Sequence, residues 1–238
     1  MTRHWPRRVD GLPPGQRLLK EMPRFTDQPH LPPPEMPVEP RLEIKNEGEP
    51  IAVVTGADLR ALQPRDCRAD FHCVTTWSVT GLIWTGVPLR EALASVGITE
   101  APAPYLVARA GDRRKAAFIW EDAIADNVIL ATHLNAALLD DRHGAPLRLV
   151  SPSQYGYKSV KHLVAIDFRA EEPRLMSKEH LRARVVFEER HPKLPSWVVR
   201  LPYRLLIPPT AYVAERTLPV TGSPSLDDVR GWITGGPS

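Results

Sequence analysis

The sequence predicts a mixed α+β domain behind an extended, proline-rich arm. Three observations lead there. Short apolar runs with strand character alternate with short helical signals along most of the chain. Their spacing is too tight for repeated strand–helix–strand units, which points away from a parallel doubly wound sheet. Prolines also crowd residues 1–40, where P-P-G, Pro29, Pro32-Pro33-Pro34, Pro37 and Pro40 fix φ and remove amide donors. Within this arm Trp5, Leu18, Leu19, Met22 and Phe25 are apolar enough to lie on a domain.

From Arg41 the elements follow in order. R-L-E-I-K and P-I-A-V-V-T read as strands joined by the turn N-E-G-E. Thr55 then caps a short helix over G-A-D-L-R-A-L. W-T-G-V-P-L-R-E-A-L-A-S-V reads as a strand end, a turn and a helix with Leu89 and Leu93 on one face, stopped by Gly97. Y-L-V-A-R-A and K-A-A-F-I-W form a predicted hairpin across G-D-R-R, with E-D-A-I-A-D a helical turn after it. N-V-I-L-A-T-H-L is an apolar run, and P-L-R-L-V-S-P and H-L-V-A-I-D-F are strands. The organisation expected is an arm over 1–40, one domain over 41–170 and an extension over 171–238.

Composition narrows the class. A chain of 238 residues can bury one sizeable core, and 42% apolar with 25% charged residues is ordinary for a globular protein. The net charge of +3 is too small to argue for a nucleic-acid partner. Cys67 and Cys73 form no disulfide framework and no C-x-x-C motif. The arginine pair near the N-terminus has no apolar run after it, and no stretch approaches the ~20 apolar residues of a membrane span. A cytoplasmic protein is expected, or a periplasmic one had a signal been removed.

Several chemistries find no motif. There is no G-x-G-x-x-G after a strand, no Walker loop and no G-x-S-x-G elbow. Cys67, His72, Cys73, His133, His143 and His162 could ligate zinc in principle, yet none has the short paired spacing of a structural site. Cys73 stands out, flanked by His72, the hydroxyls of Thr75, Thr76 and Ser78, and Trp77. It could be a nucleophile with a histidine base, or a thiolate on a redox-active metal whose other ligands come from an organic cofactor. The second use demands cations to hold a phosphate. D-R-H-G-A-P-L-R-L-V-S-P-S-Q-Y-G-Y-K-S-V-K supplies His143, Arg148, Lys158 and Lys161 at two turns flanking an apolar strand. A solvated basic loop is the plain alternative.

The ordered set F-H-C-V-T-T-W-S, W-T-G-V-P-L, H-G-A-P-L-R-L-V-S-P and Y-G-Y-K-S-V-K resembles the sulfite oxidase-like molybdenum-cofactor domain. It looks nearest to bacterial members akin to methionine sulfoxide reductase catalytic subunits, and covers about residues 41–170, more than half of the chain. The resemblance implies a β-rich sulfite oxidase-type fold binding molybdopterin and molybdenum. Cys73 would be the metal's protein thiolate and a catalytic residue. His143, Arg148, Lys158, Ser159, Val160 and Lys161 would hold the pterin and its phosphate, with His72 beside them. Cys67 has no family role and reads as a buried structural thiol. Trp77 and Trp84 are candidates for the pocket wall or for core packing.

Departures shape the expected activity. V-T-T-W-S-V-T after Cys73 contains no cation, unlike the arginine-rich stretch of animal sulfite oxidases. The asparagine–aromatic segment of the reductase subunits has no counterpart; P-R-F puts Arg24 and Phe25 in a comparable place. Too few residues remain for an immunoglobulin-like dimerisation domain, so a monomer is expected. The resemblance implies two-electron oxygen-atom transfer on a small sulfur- or nitrogen-containing substrate, with an electron partner such as a haem protein or another redox carrier, possibly membrane-bound. The competing class is a catalytically degenerate scaffold of the same fold. In the tail, Arg200 and Arg204 alternate with Trp197, Tyr203 and leucines, and prolines argue against a long helix. This stretch either meets a membrane or a partner, or wraps the domain and completes its core.

Overall fold

The structure is a computed structural model that describes residues 11–26, 28–174 and 180–218. Along the chain run β1 (Arg17–Leu18), β2 (Arg41–Asn46), β3 (Glu49–Thr55), α1 (Gly56–Ala61), β4 (Arg65–His72), β5 (Trp77–Pro88) and α2 (Leu89–Ala94). Then come β6 (Tyr105–Ala110), β7 (Lys115–Ile119), α3 (Trp120–Ala123), β8 (Ile129–Leu134), β9 (Ala137–Leu138), β10 (Arg148–Val150) and β11 (Leu163–Arg169). Two helices, α4 (Ser196–Leu205) and α5 (Ile207–Arg216), close the described chain. Mixed sheets with few, short helices fit a sulfite oxidase-type cofactor domain.

The strands make two sheets. One runs β3-β2-β11-β6-β7, with β11 parallel to β2 and antiparallel to β6. The other runs β1-β5-β8-β10, with β4 on β5 and β9 on β8. The reasons are local. In the first sheet β2 buries Leu42 and Ile44 at alternate positions and turns at Glu47-Gly48, both at positive φ, into β3. Thr55 closes a full capping box with Asp58 and so starts α1.

The main core lies among β2, β6, β10, β11 and α2, with Leu42, Leu89, Phe118, Leu149 and Phe168 all buried. A second cluster sits around the β4–β5 hairpin, where Trp77 stacks on Phe71 at 5.5 Å between centroids and Leu19 and Met22 of the arm pack in. Leu18 of the arm is exposed instead, and Trp5 lies outside the described residues.

Three expectations need correction. The chain from Trp77 runs as one 12-residue strand straight into α2, with no turn between them, because β5 is paired on both sides by β4 and β8. The partner strand β4 carries no clean alternation and was not foreseen. In the tail, prolines do not prevent helix: two ten-residue helices form, Pro202 sits inside α4, and Pro208 and Pro209 start α5, where their missing amide hydrogens cost nothing. Helix α5 buries Ile207, Ala211 and Ala214, while α4 buries Val199 alone among its apolar residues.

Strand β5 meets β8 with almost no space at Gly86, where a Cβ would stand 2.1 Å from the Leu130 carbonyl oxygen. Gly86→Ala is expected to lower stability by about 2 kcal/mol or more, as overpacking of backbone against backbone does. Thermal unfolding followed by circular dichroism would show a fall of several degrees; an unchanged midpoint would contradict the close approach.

Candidate active site

Cys73 begins the loop of the β4–β5 hairpin. Its N–H donates to the Trp77 carbonyl at 2.8 Å, and the Thr76 N–H donates back to the Cys73 carbonyl at 3.1 Å. This tight closure drives Thr76 to φ +80, a left-handed conformation that costs a β-branched residue on the order of 1–3 kcal/mol. The loop holds because its polar groups are tied from both ends of the chain. Gln16 donates to the Cys73 carbonyl at 3.0 Å, and the Arg17 N–H to the Thr76 carbonyl at 2.9 Å. From the C-terminal side, the fully buried Arg190 donates to the Val74 carbonyl at 2.7 Å and to the Pro14 carbonyl at 2.9 Å. Arg204 reaches the Thr76 hydroxyl at 3.4 Å.

The Cys73 sulfur lies 3.1 Å from the Thr75 hydroxyl and lines a cleft with about 1250 Å³ of empty space, its open mouth included. Phe25, Trp77, Tyr203 and Leu206 give the cleft an apolar wall, while Arg114, Lys115, Arg148 and Lys161 bring cations to it. Phe25 and Arg24 of the arm do line the cleft. The Arg24 guanidinium is directed to the end of α5, donating to the Ala214 carbonyl at 2.6 Å.

Arg148 is wholly buried, and no carboxylate among the described residues pairs with it. Its Nη atoms donate to the His143 carbonyl at 2.8 Å and the Ser159 carbonyl at 3.1 Å, its Nε has no partner, and the Trp84 ring lies 4.7 Å beneath. Burial lowers its pKa to about 9. Such a cation carries a desolvation cost of several kcal/mol that a bound anion would offset. Lys161 points the same way. Burial, then the neighbouring Arg148, Arg114 and Arg24, push its pKa well down, and its ammonium donates to the Arg142 carbonyl at 2.7 Å. Gly144 makes this convergence possible, since at φ +102 a Cβ would sit 2.8 Å from the Lys161 Cα.

Cys73, Arg148, Ser159, Val160 and Lys161 thus meet at one cleft. Three others do not line it. Lys158 turns its ammonium inward to the carbonyls of Ala117 and Leu181, over the Phe118 ring. His143 is held by Asp140 at 2.8 Å and reaches the Met22 carbonyl at 3.3 Å, so it supports the arm at the cleft edge. His72 pairs with the Ser78 hydroxyl at 2.8 Å, and burial lowers its pKa. Trp77 lines the cleft; Trp84 is core beneath Arg148. Cys67 is half-buried rather than buried, with burial raising its pKa. Among the described residues no three of His, Cys, Asp and Glu are grouped so as to hold a metal ion. Arg190, Tyr203 and Leu206 were missed, being over a hundred residues from Cys73 with no local motif to mark them.

A hairpin-borne thiol and a buried cation with no carboxylate partner among the described residues line one cleft. The model of the oxidoreductase molybdopterin binding domain matches residues 30–176, and the chain belongs to that family. It is accordingly an oxidoreductase domain whose cofactor is molybdopterin carrying molybdenum. The uncharacterized oxidoreductase YuiH of Bacillus subtilis is 33% identical over 114 residues, 48% of this chain and 57% of that protein. The protein-methionine-sulfoxide reductase catalytic subunit MsrP of Xanthomonas campestris is 33% identical over 111 residues, 41% of this chain and 34% of that one. The chain therefore spans from about a third to just over half the length of these relatives. Among solved structures, the sulfane dehydrogenase SoxCD of Paracoccus pantotrophus aligns with a TM-score of 0.47 and 26% identity, over 55% of this chain and 38% of that chain. These relatives lend no support to a cytoplasmic location. No helix among the described residues is long and apolar enough to cross a membrane.

The Asp140 turn gives a pH test. Burial alone would raise the Asp140 carboxyl, but the His143 side chain and N–H, with Arg142, outweigh it and hold the pKa at about 2. A carboxyl depressed in the folded state contributes stability above its usual pKa of about 3.9 and loses it as pH falls towards 2. Asp140→Asn is expected to melt below wild type at pH 5, with the gap closing as pH approaches 2. A gap that stays constant over that window would refute the ion pair.

Proposed function

We propose that this chain catalyses two-electron oxygen-atom transfer on a small sulfur- or nitrogen-containing substrate. One observation carries the reading: the Cys73 sulfur and the buried, uncompensated Arg148 share one cleft. When bound, the cofactor supplies a metal able to exchange an oxygen atom and two electrons. Cys73 would hold the metal, its thiolate stabilised by the Thr75 hydroxyl at 3.1 Å. Arg148 and Lys161 would take the pterin's phosphate end, with the backbone of Ser159 and Val160 beside them. Phe25 and Trp77 would keep water from the reacting face.

The loop that follows Cys73 favours uncharged substrates. Residues 74–80 contain no cation, and around Cys73 the wall is Val74, Thr75 and Trp77, so an oxyanion such as sulfite would meet no positive side chain from the metal-bearing loop. Sulfoxides and N-oxides suit it better. Electrons would come from, or leave to, a separate redox carrier. His143 acts in this scheme by positioning the arm, and Lys158 by tying β7 to the tail.

Two variants test the assignment. Cys73→Ser is expected to abolish turnover of a panel of sulfoxide and N-oxide acceptors with an artificial electron carrier, while leaving thermal unfolding within a few degrees of wild type. Full activity in that variant would overturn it. Arg148→Met removes a cation with no counter-charge, so the cofactor-free protein is expected to melt no lower than wild type while its molybdopterin content falls by about tenfold or more, the loss of a charge-assisted contact of roughly 1.5–3 kcal/mol or more. A variant that melts well below wild type yet retains its cofactor content would mark Arg148 as a purely structural residue.

A further inference from the structure

Helix α4 is amphipathic in the reverse sense. Its charged and polar side chains turn inward: Arg200 clasps Glu188 at 2.5 and 2.6 Å, Arg204 reaches Thr76, and Tyr203 lines the cleft. Its outer face carries Trp197, Leu201 and Leu205, spaced by four residues and 70%, 63% and 68% exposed. Leu206, 51% exposed, continues this stripe and also lines the cleft. An apolar stripe on a helix whose arginines bond inward marks an interaction surface rather than an accident of packing.

Charge says what fits there. No acidic residue occurs from Arg190 to Ala214. Arg17, Arg190 and Arg200 lie near enough to Arg204 to act on its charge, Glu188 bonds Arg190 and Arg200, and Arg17 and Lys193 are exposed. A bilayer is less well matched, because an interfacial helix presents its cations towards the headgroups, whereas Arg200 and Arg204 are turned under the helix. Tryptophan and leucine at the centre, with the exposed Arg17 and Lys193 as the basic groups, match a small, transient protein interface steered by opposite charge.

Resting on the oxygen-transfer reading above, we infer that the Trp197–Leu201–Leu205 stripe docks a soluble electron-transfer protein with an apolar centre and an acidic rim, at the mouth of the Cys73 cleft. For each oxygen atom removed from a substrate as water, that partner gives two electrons in single steps and solvent gives two protons; the oxidative direction returns both.

The test uses the full-length, molybdenum-loaded chain and its cofactor-free form. The probes are an acidic [2Fe–2S] ferredoxin, a basic cytochrome c and, as a small carrier, reduced methyl viologen. Ferredoxin is expected to bind both forms in calorimetry, with affinity falling by about tenfold as salt is raised past physiological strength. Trp197→Ser/Leu201→Ser should weaken that binding, and ferredoxin-driven turnover, by about tenfold or more, with viologen-driven turnover unchanged. No ferredoxin binding at low salt, binding indifferent to the double variant, or preference for cytochrome c would overturn the inference. So would a chain dimer, or capture on phosphatidylglycerol vesicles, that the double variant abolishes. Ferredoxin binding that behaves as expected in a chain with no viologen-driven turnover would instead sink oxygen transfer and leave the docking surface standing.

Discussion

The architecture depends on a four-residue loop that would not hold its shape alone. Closing Cys73 to Trp77 forces Thr76 into a left-handed conformation, and the sulfur keeps its place only because the loop's carbonyls are occupied from outside. Gln16 and Arg17 come from the arm, Arg190 and Arg204 from the extension. Arg190 is the joint among these three pieces of chain, bonding the loop at Val74, the arm at Pro14 and its own segment at Glu188, over the Tyr155 ring at 4.8 Å. The sheets supply the hairpin, and the two ends of the chain make its tip rigid.

A second constraint acts across the cleft. Nature rarely buries a guanidinium without a carboxylate, because the interior returns little of the hydration it removes. Comparison of two nearby cations shows the logic. Lys158 satisfies its charge on backbone carbonyls and an aromatic face, which suits a structural tie. Arg148 uses two of its five N–H groups on two carbonyls and keeps Nε unsatisfied, with Lys161 crowding it. One is a finished interaction and the other an unfinished one, which an anion could complete.

Much of this was legible in the sequence because it is local. Alternation in R-L-E-I-K, the Thr55 cap and the G-D-R-R hairpin each depend on residues a few positions apart, and the structure places them as read. Cys73 and Arg148 stood out because a thiol among hydroxyls and a cation inside an apolar strand are conspicuous in type. What escaped was contact at a distance. Nothing near Lys158 says that its side chain turns inward to Ala117, 41 positions away, and nothing near Arg190 announces Val74, 116 positions away. Helix α4 misled for a different reason: its prolines signal a break, and its leucines face solvent while its arginines face the protein.

The central claim is that the Cys73 sulfur bonds the metal. X-ray absorption at the molybdenum edge of the purified, loaded chain addresses it directly. The account expects three sulfur scatterers around molybdenum, two from the pterin and one from the protein, falling to two in Cys73→Ser with molybdenum still present. A sulfur count that does not change in that variant would contradict it.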